Sequence, residues 1–280
     1  MKIGVVSNPE KGGVKEGVER ILRWGEGKGI ELLLDEPSSS SIGVGCWFGR
    51  GDIGDLSDLV VVLGGDGTIL SIVEEIGAKG VPILGVNLGR KGFLAEIEVE
   101  ELEEYLDMVL NGDHVVEERM MLRAEVMGSK GSAVLALNDV VVAGKVVGKI
   151  NRFSAYVDGE AITTYWADGI IVSTPTGSTA YSLSAGGPIV HPRVHSIILT
   201  PICPHTLSNR AIVLPAESEV LIKADGKRAS MNADGRGEIL LEPGDMVRVV
   251  KFDRPFRLII SKGGYFDLLR KKLNWGVDSL

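Results

Sequence analysis

The chain has 280 residues, 44% hydrophobic and 24% charged, with a formal net charge of −8. That length exceeds the usual single-domain size of roughly 100–150 residues, so two domains or one large one are expected. A negative chain with no basic run longer than Arg270-Lys271-Lys272 is a poor partner for nucleic acid, and no stretch approaches the ~20 apolar residues that span a bilayer.

Met1 to Val6 runs into a strand-like stretch without the regions of a secretory signal, and a cytoplasmic protein is expected. Cys46 and Cys203 have no CxxC or metal-ligand spacing, so two buried thiols are expected and no metal site is assigned to the protein. The negative field also disfavours anionic ligands at long range. Any phosphate site must therefore be built locally, from glycine amides or a few cations.

In chain order, the first hundred or so residues alternate: strand Ile3–Ser7, helix Val14–Lys28, strand Glu31–Leu34, strand Leu59–Leu63, helix Thr68–Ile76, strand Val81–Val86 and an acidic amphipathic helix, Glu98–Leu110. The runs Leu59–Leu63 and Val81–Leu84 are continuously apolar, as in parallel strands covered on both faces. Ser38–Ser41 is read as a loop. Turn residues Asn111-Gly112-Asp113 mark a hinge. From about Arg119 the texture changes to short β-branched runs, Ala133–Val142, Phe153–Val157, Val220–Ala224 and Val247–Phe252, which predict an all-β second domain. Tyr265–Leu273 is again helical. The fold class is thus α/β plus all-β. Residues 1–112 and 265–280 form a Rossmann-like α/β domain, and 113–264 a β-rich one.

Leu59–Leu63 is followed by Gly64-Gly65-Asp66-Gly67-Thr68, the order strand, glycine turn, helix start. At the carboxyl end of a parallel strand such glycines permit close backbone approach by a phosphate. An aspartate inside an anion cradle is electrostatically costly unless it holds a divalent ion or accepts a proton; otherwise it caps the helix. No complete Walker A string occurs, and Ser182-Leu183-Ser184-Ala185-Gly186 lacks the first glycine of a hydrolase elbow. A second segment, Gly169–Pro188, is dense in Ser and Thr hydroxyls, which bind ribose hydroxyls and phosphate oxygens or serve as local caps.

Together, the Gly64–Thr68 loop and the Thr174–Pro188 string resemble the NAD kinase family over nearly the whole chain. The first loop alone is shared with diacylglycerol-type lipid kinases and phosphofructokinases. The resemblance implies a Rossmann-like first domain, a β-sandwich-like second domain, a dinucleotide cleft between them and a final helix returning to the first. It implies phosphoryl transfer from ATP or polyphosphate, with Mg²⁺ or another divalent ion, to the 2′-hydroxyl of the adenosine ribose of NAD, in a homodimer or homotetramer. By matching position, Asp66 is the base and Gly67 lies against the ligand. Gly64, Gly65, Gly67 and Thr68 form the donor loop.

Asn138 and Asp139 match the pair that holds the nicotinamide half or its ribose. Lys149 matches a basic position near the phosphates, and Asp168 an acid reaching the ligand of a neighbouring subunit. Thr179, Ala180, Tyr181, Ser182, Leu183 and Ser184 match the segment around the adenosine. Arg90-Lys91, Ser71, Ala211 and Arg236 depart from the common pattern, leaving donor preference and the choice between NAD and NADH open.

Overall fold

The computed structural model describes residues 1–89, 91–127, 133–145 and 150–275. The chain forms two compact units: Met1–Glu118 with the segment from Arg257 onward, and Arg119–Phe256. No helix among the described residues is long and apolar enough to cross a membrane.

The elements begin with β1 (Lys2–Ser7), α1 (Val14–Gly25), β2 (Glu31–Leu34), α2 (Glu36–Ser41), α3 (Arg50–Leu56), β3 (Leu59–Gly64) and α4 (Asp66–Ser71). β4 (Ile83–Asn87), β5 (Ile97–Glu98), α5 (Leu102–Asn111) and β6 (Val116–Arg119) follow. Next come β7 (Leu122–Val126), β8 (Val134–Ala136), β9 (Asp139–Gly144), β10 (Asn151–Val157), β11 (Glu160–Ala167), β12 (Gly169–Ser173) and α6 (Tyr181–Ser184). The second unit closes with β13 (Ser196–Ile202), β14 (Ile212–Pro215), β15 (Val220–Ala224), β16 (Ala229–Ala233), β17 (Arg236–Leu241) and β18 (Met246–Lys251). β19 (Phe256–Ile259) and α7 (Tyr265–Leu273) end the described chain.

The first unit is built on a sheet of order β2-β1-β3-β4-β19-β6, with β5 also paired to β4. β1, β2, β3, β4 and β19 are parallel. Leu59, Val61 and Leu63 share a core with Val14, Val18 and Ile21 of α1 and Leu102 and Leu106 of α5. On the opposite face glycine lets helices close in: a Cβ at Gly4 would lie 2.4 Å from Ile53, and one at Gly85 2.6 Å from Ile69. α1 and α5 are tied by Arg20, whose Nε donates to Glu103 at 2.7 Å and Nη2 at 2.6 Å, and by Trp24 Nε1 donating to Asp107 at 2.8 Å.

The second unit is a sandwich of two six-stranded antiparallel sheets, β11-β10-β15-β18-β7-β8 and β14-β13-β12-β9-β16-β17. Alternate residues from both, such as Phe153, Val220 and Val249 from one and Val140, Val172 and Leu199 from the other, merge in one core. On the second sheet Val141, Ile171 and Ile202 form a small separate cluster against which Ala185 packs. The α/β plus sandwich architecture is as the sequence implies.

Several local expectations are corrected. Ser38–Ser41 is not a loop: Asp35 caps a short helix, accepting the Ser38 N–H at 3.0 Å, and proline sits in the first turn. Arg50–Leu56 is helical without having been foreseen. α1 stops at Gly25, ahead of Gly27 and Gly29 with positive φ, and α4 ends at Ser71 rather than Ile76. Neither cysteine is buried; both are exposed and free, Cys46 in an irregular segment and Cys203 after β13 with φ 46. The return to the first sheet is made by a strand, β19, before the final helix.

Candidate active site

β3 is buried along its whole length and delivers its carboxyl end to a tight glycine turn. A Cβ at Gly64 would lie 2.2 Å from Thr68 Oγ1, which instead accepts the Gly65 N–H at 3.3 Å. Asp66 does not cap α4. It is the first helical residue, after Gly65 at the N-cap, and its carboxylate turns to the segment following β4. β3 and β4 run side by side, Gly64 opposite Asn87, so the chain leaving β4 falls next to the loop.

There Asp66 Oδ2 accepts the Phe93 N–H at 2.8 Å, while Oδ1 accepts those of Leu94 and Ala95, each at 2.9 Å. A carboxylate has about four acceptor positions. Oδ1 is therefore filled, and Oδ2 keeps one position open among the described residues. Gly92 permits the clamp, since a Cβ there would stand 1.7 Å from Asp66 Oδ1. The sequence carried no sign of this pairing beyond the glycine itself. Beside the loop, Ser7, Asn8, Pro9, Arg50, Gly67, Thr68 and Ser71 line a pocket of about 220 Å³.

Of the two cations at 90 and 91, Arg90 lies outside the described residues, and Lys91 pairs with Glu98 at 3.2 Å and Glu101 at 3.8 Å. Lys149 also lies outside the described residues.

In the second unit three segments converge at one end of the β12-containing sheet. Asp139 opens β9 opposite Ser173 of β12, and Ala233 of β16 pairs with Val140. The passage after β12 locks onto the turn before β9: Thr174 N–H donates to the Asn138 carbonyl at 2.9 Å and Thr174 Oγ1 to the Leu137 carbonyl at 2.6 Å. Gly177 passes so close that a Cβ would be 2.0 Å from the Asn138 carbonyl oxygen. From the other side Asp234, in a left-handed turn with φ 52, accepts the N–H groups of Leu137, Asn138 and Asp139 at 2.9, 2.7 and 3.1 Å. Arg236 Nη2 lies 3.6 Å from Asp234. The half-buried Asn138 side chain is thus presented by a turn whose backbone is held on both sides.

Asp139 is 5% exposed, and burial, reinforced by the neighbouring Asp234, pushes its carboxyl up to about 7. Burial also raises Asp234, but its three N–H donors and Arg236 oppose the rise. The ionised form of Asp234 is the better solvated, so Asp139 is the member that keeps a proton.

Of the remaining residues matched to the adenosine segment, Tyr181 and Ser184 are exposed and Thr179, Ala180 and Leu183 half-buried. Ser182 is buried, its hydroxyl 3.0 Å from that of Thr200, so its side chain serves the interior. Asp168, between β11 and β12, is exposed, with its backbone fixed by Ile202 and Gly144. Asp234, Thr174 and Gly177 carry the arrangement, and only Thr174 and Gly177 fell within a segment that the sequence marked.

Similarity to known proteins agrees with this geometry. The ATP-NAD kinase N-terminal domain profile matches residues 49–114, and the C-terminal domain profile residues 137–261. The NAD kinase of Geotalea daltonii is 42% identical over 263 residues, covering 92% of this chain and 93% of that protein. The chain belongs to the NAD kinase family. The NAD kinase of Geobacter metallireducens is 47% identical over 232 residues, 80% of this chain and 81% of its own. Among solved structures, yeast NADH kinase complexed with NADH superimposes with a TM-score of 0.91 at 26% identity, covering 99% of this chain and 88% of that one. An NAD kinase from Archaeoglobus fulgidus in complex with ATP gives 0.81 at 28% identity, covering 99% and 100%. The matched NAD kinase domains include both Asp66 and the Asn138–Asp234 turn system.

Proposed function

We propose that the chain transfers the terminal phosphoryl group of ATP to the 2′-hydroxyl of the adenosine ribose of NAD, giving NADP. The observation that carries this reading is the clamped Asp66 carboxylate, aimed by three backbone N–H groups and left with one acceptor position on Oδ2. That position receives the proton of the attacking hydroxyl as the O–P bond forms and the bond to the leaving phosphate breaks. Little covalent work falls to the protein; positioning and charge stabilisation do most of it. Gly64, Gly65, Gly67 and Thr68 bring backbone close to the donor. Asn138, Thr179, Ala180, Tyr181, Leu183 and Ser184 hold the dinucleotide, with the buried Asp139 and Ser182 supporting those segments and Asp168 and Lys149 as further contacts of the matched pattern.

A divalent ion such as Mg²⁺ fits as a companion of the donor. Mg²⁺ is usually held by one or two carboxylates plus phosphate oxygens, and no group of three His, Cys, Asp or Glu among the described residues could cage it. The donor's own oxygens are what such an ion would meet, and it would supply neutralisation of phosphate charge.

Assembly as a homodimer or homotetramer, a cytoplasmic setting and use of polyphosphate as an alternative donor extend the same reading. The test is NADP formation by purified protein from NAD and Mg²⁺ with ATP or polyphosphate, read by an NADP-specific dehydrogenase. Product in either mixture establishes the activity and names the donor. NAD binding without product in both would replace the reading by a dinucleotide sensor.

A further inference from the structure

The pocket beside the glycine loop contains one charged residue, Arg50, among the described residues that line it. Arg50 is the first residue of α3, the helix that composition and periodicity did not reveal, and its placement is built from two sides. Its Nη1 donates to Ser71 Oγ at 3.3 Å, and its Nη2 stands 3.7 Å from Asp35 Oδ2. Ser71 is itself fixed, donating to the Thr68 carbonyl at 2.7 Å.

Asp35 is 2% exposed and held by the Ser38 hydroxyl at 2.6 Å, the Ser38 N–H at 3.0 Å and the Ser7 N–H at 3.4 Å. Ser7 and Ser38 are joined hydroxyl to hydroxyl at 2.9 Å. A buried carboxylate with this much local support is a platform, and what it supports is a guanidinium at the rim of an open pocket. A guanidinium has five N–H donors in a planar fork. Ser71 and Asp35 occupy part of that fork, and the rest borders the pocket together with Gly67 and Thr68.

The charge of the whole chain sharpens the point. At a net charge of −8, a polyanion is repelled at distance, so the cation that admits it must be local and fixed. We infer that Arg50, braced by Asp35 and Ser71, is a specificity-determining residue for the phosphoryl donor, binding a phosphate oxygen of the chain it presents to the glycine loop. The inference rests on the reading of that loop as the donor site. It is shared chemistry for the triphosphate of ATP and for inorganic polyphosphate.

The experiment measures KM for ATP, for polyphosphate and for NAD, together with ATP binding by calorimetry, in the full chain and in Arg50→Ala, Arg50→Ala with Ser71→Lys, and Gly67→Val. Gly67 lines the pocket, and a Cβ there meets no atom within 4 Å, so the added side chain has room at its base. Loss of a charge-assisted phosphate contact is expected to raise KM for the donor about 10- to 100-fold. KM for NAD should change by less than about twofold, the error expected for uncoupled sites. Because Arg50 reaches the Ser71 hydroxyl, a cation placed at 71 should recover much of the lost affinity.

A difference between the ATP and polyphosphate arms identifies which donor Arg50 favours. Where Arg50→Ala does not fold, Arg50→Gln keeps side-chain length without the charge and is read the same way. Unchanged donor KM and ATP affinity in Arg50→Ala with a loss in Gly67→Val overturns the role of Arg50 and leaves the donor loop standing. No effect from either substitution overturns both. An equal rise in KM for NAD and for the donor refutes a donor-specific role.

Discussion

Replacing Asp139 by Asn should make the protein more stable at alkaline pH, and by an amount that depends on pH. In the folded protein the carboxyl is displaced from 3.8 to about 7, by burial first and by Asp234 second. The unfolded chain releases that proton near pH 4, whereas the folded one holds it to near pH 7. Between those limits the folded state binds more protons than the unfolded, so stability falls as pH rises. The opposing contribution is about 1.7 kcal/mol at pH 5 and about 4 kcal/mol at pH 8, a change of about 2.5 kcal/mol. Asparagine has nearly the shape of the protonated acid and no charge to desolvate. Chemical denaturation of wild type and Asp139→Asn across pH 5 to 8 reads this contribution together with its coupling to Asp234, because titrating groups that do not interact with residue 139 cancel in the difference. The variant should gain about 2.5 kcal/mol relative to wild type over that range. A difference between the two proteins that does not move with pH would refute the protonated, buried Asp139.

The other expectations concern the two turn systems. Asp66→Asn should keep the fold, although its amide nitrogen or oxygen can satisfy only part of the clamp, and should lower turnover at least ~10²-fold, a typical general-base contribution; near-wild-type kcat would remove Asp66 from the chemistry. Gly92→Ala leaves Asp66 in the sequence but drives a methyl to 1.7 Å from its Oδ1, so kcat should fall by a similar factor of ~10² with KM for NAD little changed; full activity in steady-state assays would show that the clamp is not needed. Gly177→Ala pushes on the Asn138 carbonyl, where the added Cβ would stand at 2.0 Å, and should weaken NAD at least ~10-fold while sparing the donor, the size of effect expected when a binding turn is displaced. Titration calorimetry with NAD decides it, equal affinity in both proteins being the adverse result.

Some of this was legible in the order of residues alone. The apolar run Leu59–Leu63 leading into Gly64-Gly65-Asp66-Gly67-Thr68 announces a buried strand and a glycine turn because those signals are contiguous and need no distant partner. Thr174 to Pro188 likewise shows its hydroxyls in one stretch. Ser38–Ser41 and Arg50–Leu56 were misread or missed because their helices are short, where caps and tertiary packing outweigh periodicity.

What the tertiary structure decided is how each signalled residue is held. Asp66 reads as a candidate helix cap until β4 is laid beside β3 and Phe93, Leu94 and Ala95 turn their N–H groups onto its carboxylate. Asp234 looks like an ordinary turn residue, yet it holds Asn138 across 96 residues of chain. Arg50 meets Ser71 and Asp35 only because β2 and β3, whose following segments carry Asp35 and Ser71, pair on either side of β1. Motif residues are local and survive in a string. The groups that orient them are chosen by strand order and register, which arise only when distant segments bury their apolar faces together.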